Sequence, residues 1–389
     1  MKISSAGFLS FILLIASLAA AQIPCGPTII PSATLFVNWP QIGYDAAHTG
    51  CNPYESILRP TTVPSLTLKW ALDAGSEAIV SSPVIANGIA YFGSSNHNLV
   101  AVDVATGALL WQYQMPNQLW HSPAVANGIV YMGAADIDGQ NFYAFNASTG
   151  TLLWTQQVGG GPTTSPVVVN GVVYVAGYGD VHALDAATGK ILWNNYSSVV
   201  DSELVVANGL VYFGGNTGLY ALDAATGTLK WTYPTGSAVW SPVEANNVLY
   251  FASDVLYAVK ADTGALVWKE TVGAGVAPLA IARGVLYAGG SDIYENDDNF
   301  YGLNAATGDI LWKYPTGNVR TLAAVANGVV YVGANFSYLY ALNASNGLYL
   351  WSYAAGEYLR GGPLVANGTL YVGSWDNASH LFAFHLPGQ

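Results

Sequence analysis

Ser82-Pro83-Val84-Ile85-Ala86-Asn87-Gly88-Ile89-Ala90-Tyr91-Phe92-Gly93, followed by Asn98-Leu99-Val100-Ala101-Val102-Asp103-Val104-Ala105-Thr106-Gly107-Ala108-Leu109-Leu110-Trp111, is one unit of a pattern that fills most of the chain. It contains four short apolar runs, A to D, separated by turns. Asn87-Gly88 is a strong two-residue hairpin signal, because a type I′ turn needs positive φ at both central positions. Asp103 with Thr106-Gly107 marks a second hairpin: the carboxylate and hydroxyl accept nearby backbone N–H groups, and glycine takes the left-handed position. Strand A is thereby joined to B, and C to D.

The unit recurs. Trp70, Trp111, Trp154, Trp193, Trp231, Trp268, Trp312 and Trp351 follow one another at intervals of 37 to 44 residues. The Asn-Gly turn returns at Asn127, Asn170, Asn208, Asn327 and Asn367, with Asn246-Asn247 and Arg283-Gly284 as variants. Strand B carries Tyr91, Tyr131, Tyr174, Tyr212, Tyr250, Tyr287, Tyr331 and Tyr371. A unit of about 40 residues that cannot bury its own apolar face must stack on copies of itself. The last copy ends after its C strand, Leu381 to Phe384, whereas Ser65 to Trp70 is a D strand with no repeat before it. Pairing the two leftovers closes a ring and removes exposed sheet edges. The expected fold is all-β: an eight-bladed β-propeller of four-stranded antiparallel blades, closed by the N-terminal strand pairing with the C-terminal blade. WD40-type blades share the period, but their Gly-His and Trp-Asp signals do not recur; Trp375-Asp376 occurs once.

Composition narrows the function classes. The first residues, with Lys2, an apolar run from Phe8 to Ala20 and Ala19-Ala20-Ala21, read as a signal peptide over 1–21. The expected organisation is then an arm over 22–64 and the propeller over 65–389, in a secreted or periplasmic protein with no membrane span. The two cysteines, Cys25 and Cys51, both fall in the arm and in an oxidising compartment are expected to form one disulfide. A net charge of −12 without any basic stripe argues against nucleic acid. Nothing fixes the oligomeric state, and a monomer is the default.

Leu219-Tyr-Ala-Leu-Asp-Ala-Ala-Thr-Gly-Thr-Leu-Lys-Trp231 resembles the PQQ-type propeller repeat of quinoprotein alcohol dehydrogenases and of the outer-membrane assembly propeller lipoprotein. The lead-in from Asn38 to Gly50 is similar to the opening segment of such proteins. The resemblance covers residues 38 to about 384 and implies that the eight tryptophans are structural, docking between neighbouring blades. It also implies two function classes. One is a non-catalytic scaffold that binds a protein, peptide or envelope component; the other is a minimal dehydrogenase for alcohols or sugars using PQQ and Ca²⁺. The dehydrogenases carry a vicinal disulfide over the quinone, and this chain has no adjacent cysteines; nor has it Cys-x-x-Cys-His for haem.

The A–B and C–D turns share one face of the disc and repeat monotonously, so function is expected on the opposite face, where the B–C and D–A connections vary. The D–A connections supply ligand-binding candidates Trp120, His121, Trp240, Arg320, Tyr358 and Arg360, able to stack on and hydrogen-bond a planar anionic ligand or a peptide. If the protein is an enzyme, Asp201 and Glu203 are the catalytic candidates. Two long acidic B–C loops place Asp136 and Asp138, and Asp292 and Asp297, as weak Ca²⁺ candidates that do not fit an EF-hand. No His-Glu-x-x-His, Gly-x-Ser-x-Gly or Walker-type loop is present.

Overall fold

The computed structural model describes residues 38–73, 79, 81–94, 96–134, 141–159, 164–177, 179–196, 200, 202–272, 280–290, 298–319, 321–334, 337–356, 358–359, 361–375 and 380–388. Within them the chain forms eight antiparallel blades with almost no helix. Blade 1 runs A (Val84–Ala86), B (Ile89–Gly93), C (Asn98–Asp103), D (Leu109–Gln114), from the centre of the disc to its rim. Blades 2 to 7 repeat this order, with A strands at Ala124–Ala126, Val167–Val169, Val205–Ala207, Trp240–Ala245, Ala280–Ala282 and Ala324–Ala326. Blade 8 takes A, B and C from the C-terminal end (Leu364–Ala366, Thr369–Trp375, His380–His385) and D from Thr67–Asp73. Leu68 faces Phe384 and Trp70 faces Ala383, so the two chain ends close the ring by pairing.

Turn chemistry follows the sequence. Asn87 and Gly88 have φ of 51° and 79°, the left-handed pair that a type I′ turn needs. Asp103 Oδ1 accepts Ala105 N–H, Thr106 N–H and the Thr106 hydroxyl, which fixes the C–D turn. Just before each repeated tryptophan the C–D ladder slips by one residue, as between Ala101/Trp111 and Val102/Leu109. This bulge rotates the indole toward the next blade and leaves both preceding side chains, Leu109 and Leu110, exposed on the rim.

The indoles hold neighbouring blades together. Trp111 Nε1 donates to Ala147 O (2.9 Å) in the C–D turn of blade 2, and the Tyr91 hydroxyl donates to the same carbonyl (3.0 Å). The same two-donor clamp closes on Ala186, Ala224, Ala261 and Ala344. The glycine of the clamped turn lies flat against the indole: a Cβ on Gly189 would come within 2.5 Å of Trp154. The eight tryptophans are thus structural at the contacts described, each with its ring N–H bonded to a backbone carbonyl of the next blade.

Eight inner strands would leave a circle of unpaired N–H groups facing the central channel, which buried backbone does not tolerate. The lead-in arm satisfies them in order. The middle residue of strand A donates its N–H to Trp39 O in blade 1, Pro40 O in blade 2, the Gln41 side chain in blade 3, Ala46 O in blade 4, Ala47 O in blade 5, Thr49 O in blade 6 and Gly50 O in blade 7. In blade 8 the direction reverses, and Asn52 Nδ2 donates to Val365 O. The arm therefore winds once around the inside of the ring on the A–B turn side. Its tight curve rests on Asp45, whose carboxylate accepts the Thr49 N–H and hydroxyl, and on Gly43 and Gly50, both at positive φ against neighbours that leave no room for a Cβ.

Candidate binding site at the channel mouth

The D–A connections lie on the face opposite the arm. A rule governs how those connections enter strand A. Three residues before the strand, a hydroxyl accepts a strand-B N–H: Ser81 from Gly93, Thr164 from Ala176, Ser202 from Gly214 and Thr321 from Gly333, in blades 1, 3, 4 and 7. Four blades carry no hydroxyl at this place: blade 2 has His121, blade 5 has Trp240 at the head of its longer A strand, blade 6 has Ala277 and blade 8 has Gly361. Three of those four, blades 2, 5 and 8, bring exposed aromatic residues to this face: Trp120 is 42% exposed, Trp240 50% and Tyr358 52%. Blades 2, 5 and 8 are spread around the eight-membered ring.

One residue further along, a belt runs from blade to blade. Gly362 N–H donates to Ser82 Oγ, Ser122 N–H to Ser165 Oγ, and Ser165 N–H and Oγ to the two carboxylate oxygens of Glu203 (2.7 and 3.0 Å). Blades 1, 2, 3 and 5 place serine here; blade 4 places Glu203. Glu203 lies deep within the protein but keeps 24% of its side chain open. His121 Nδ1 stands 3.9 Å from Oε1, too far for a direct hydrogen bond. Burial works against the charge of Glu203, but the interaction with His121, the nearby His48 and the Ser165 N–H outweigh it and hold the carboxyl below its ordinary range. His48 lies in the arm and is buried; desolvation lowers its pKa to about 4, against a smaller opposing pull from Glu203. Its Nε2 has no hydrogen-bond partner.

The structure thus brings His121 and Glu203 together and adds Ser165 and His48, which the sequence reading did not single out. The recurrent Ser-Pro before strand A, broken by Glu203-Leu204, was the available signal. Also unanticipated is a buried pair in blade 3, Asp180 Oδ2 2.9 Å from His182 Nε2. Tyr196, at the end of the same blade's D strand, is almost wholly exposed. Asp201, Arg320, Arg360, Asp136, Asp138, Asp292, Asp297 and Cys25 lie outside the described residues; Cys51 is disulfide-bonded. Among the described residues no group of three His, Cys, Asp or Glu is arranged to hold a metal ion, and no helix is long and apolar enough to cross a membrane.

Similar proteins fall into two functional camps. A family profile described as "Outer membrane protein assembly factor BamB" matches residues 62–165, 140–239, 234–323 and 315–385. The quinohemoprotein alcohol dehydrogenase of Comamonas testosteroni is 32% identical over 96 residues, 24% of this chain and only 13% of the relative's length. The crystal structure of that enzyme superposes with a TM-score of 0.72 at 17% identity, covering 91% of this chain and 81% of the enzyme. BamB from Moraxella catarrhalis superposes with a TM-score of 0.68 at 18% identity, covering 82% and 99%. A europium-containing methanol dehydrogenase gives 0.76 at 16% identity, covering 90% and 98%. At these identities the superpositions speak for the fold alone. The profile spans the whole ring, and the chain belongs to the PQQ-like β-propeller repeat family.

Proposed function

We propose that this protein is an exported, non-catalytic binding propeller that takes a peptide or envelope component of a partner at its channel mouth. The observation that carries the reading is the coincidence of two features on blades 2, 5 and 8. Three of the four blades that lack the hydroxyl cap carry Trp120, Trp240 and Tyr358 exposed on the D–A side, and the fourth, blade 6, has Ala277. Exposed aromatic rings gathered at one concave site are characteristic of recognition rather than of folding. A disulfide-bonded Cys51 and the signal-like N-terminus support an oxidising, extracytoplasmic location.

The test is site-specific photocrosslinking in the cells that make the protein. A crosslinker replacing Trp240 should yield a discrete adduct, and one replacing Thr226, on the opposite face, should not. Equal adducts from both positions would overturn the choice of face.

A second reading, a minimal quinoprotein dehydrogenase, has one observation in its favour: a charged carboxylate, Glu203, inside the channel of a fold shared with quinoproteins. Glu203 is a hard oxygen donor suited to Ca²⁺, but both of its oxygens already accept hydrogen bonds from Ser165, and the described residues add no second carboxylate beside it. In this reading PQQ would supply hydride-accepting chemistry, with Trp120 or Trp240 stacking on it and Asp201 or Glu203 at the reacting side. Titration with PQQ and Ca²⁺, read by quinone absorbance and dye-linked alcohol or sugar oxidation, separates the two. We expect no saturable binding; tight binding abolished by Trp240→Ala or Arg320→Ala would establish the enzyme.

A further inference from the structure

The mouth and the belt below it differ in charge character, and the difference specifies a ligand. Glu203 occupies a position that blades 1, 2, 3 and 5 fill with serine, so the belt does not require a carboxylate there. A serine hydroxyl continues the same hydrogen-bond chain, as Ser165 does for Ser122. What Glu203 adds is a negative charge, 24% open. Among the described residues the ion pair of Glu203 is with His121, and none is with a lysine or arginine. His121 stands beyond hydrogen-bond reach at 3.9 Å. Beneath it lies His48, 3% exposed, with Nε2 unpartnered. The Glu203 carboxylate keeps acceptor capacity beyond the two hydrogen bonds from Ser165, and the His48 ring nitrogen has no partner.

The group that suits this remaining capacity is cationic and rich in N–H donors. We propose that the channel takes a primary ammonium on an unbranched alkyl stem, with the ammonium on Glu203 and its neighbouring serine oxygens and the stem between Trp120 and Trp240. Three ammonium protons match the carboxylate and hydroxyl acceptors available. Indole faces favour a passing cation, and the net charge of −12 draws cations toward the protein and repels anions. The inference rests on the mouth being the binding face. It deepens that reading by assigning the ligand's chemistry: the side chain of a partner's lysine, or a free diamine.

The experiment uses the full chain with two probes, 1,5-diaminopentane and the blocked tripeptide acetyl-Gly-Lys-Gly-amide. Their uncharged counterparts, 1-pentanol and the norleucine tripeptide, are the controls. Binding is read by calorimetry and tryptophan fluorescence. We expect saturable binding of at least one ammonium probe, weakened at least tenfold by Glu203→Gln and reduced at high salt, with no binding of the controls. Glu203→Ser installs the residue this position carries in four other blades, so it keeps the belt; it should lose binding to the same degree with an unchanged melting temperature. Binding of the diamine alone identifies a free amine, and binding of the tripeptide alone a lysine. Failure of both probes to bind, or equal binding by Glu203→Ser, overturns the proposal. Should the crosslinked adduct at position 240 persist in Glu203→Ser, the mouth remains the binding face and only the ammonium assignment falls.

Discussion

Blades 1 and 2 meet as a standard unit meets its copy, whereas blades 7 and 8 meet where the ring is zipped shut. In the first junction Trp111 and Tyr91 share the carbonyl of Ala147. At the closing seam Trp351 finds a substitute, Leu66 O at 3.2 Å, and the Tyr331 hydroxyl is buried without a partner. The cause is topological. The clamped carbonyl belongs to the C–D turn, and blade 8 has no such turn because its C and D strands come from opposite ends of the chain. Aromatic packing makes up the difference: Phe384 lies against Trp351 (5.1 Å between ring centres) and Tyr353 (4.7 Å), and Phe382 against Tyr353. The arm adds to it, since Glu55 accepts the Gly368 N–H and Leu58, Val63 and Leu66 are buried in the cluster that contains Phe384. A seam without a covalent turn thus adds apolar area and a strap to the strand pairing of the two chain ends.

The largest effect should come from removing that area. Phe384→Ala is expected to cost about 3–5 kcal/mol, the usual range for deleting a buried phenylalanine. Denaturant melts should show it at least as damaging as Phe145→Ala, its counterpart in blade 2, which is also fully buried. A markedly smaller loss at the seam would mean that the arm, not the aromatic cluster, holds the ends together.

Acid should test the strap. His48 is buried and neutral, with its pKa lowered from 6.5 to about 4. As pH falls the unfolded chain takes up this proton first, so the associated stability is complete above pH 6.5 and is lost progressively between 6.5 and 4. The whole effect is on the order of 3 kcal/mol at most. Stability measured at pH 7 and pH 4.5 should differ less in His48→Gln than in the natural chain. If the strap secures the seam, hydrogen exchange at the lower pH should rise first at Leu370 and Phe384. A uniform rise around the ring would break the comparison.

Gly189→Ala addresses the regular junctions. The residue sits at φ +73° with Trp154 against it, so a methyl group both strains the backbone and displaces the indole. A loss of about 2 kcal/mol or more in thermal melts is expected. The closing seam has no equivalent glycine, which makes it insensitive to this class of change.

The ring itself was legible because every blade repeats its turn residues and its tryptophan, and Ser65 to Trp70 was visibly a strand lacking its blade. Much of the site was not. Trp120, Trp240 and Tyr358 could be picked as departures from the repeat, and Glu203 as an acid among serines. The arm's circuit of eight inner strands is invisible in the arm, because backbone carbonyls accept most of those bonds and carry no residue signature. His48 likewise looked isolated, since Glu203, with which it interacts, is 155 residues away in sequence and meets it only once the arm is seated.

The smallest effect discriminates best. Tyr91→Phe removes a hydrogen bond to Ala147 O and should cost about 1 kcal/mol, moderated because Trp111 still satisfies that carbonyl. Tyr331→Phe removes a hydroxyl that has lost its contacts with water and gained none in return, so the native state is relieved of a desolvation penalty. The substitution should be neutral or stabilising by up to about 1 kcal/mol. The two residues occupy the same place in strand B and are equally buried, which cancels differences in packing and leaves the missing turn as the variable. Opposite signs for the two substitutions in parallel urea titrations would show that the seam lacks an acceptor. Equal losses would mean that Tyr331 finds one in solution, and that the closing junction is bonded as the others are.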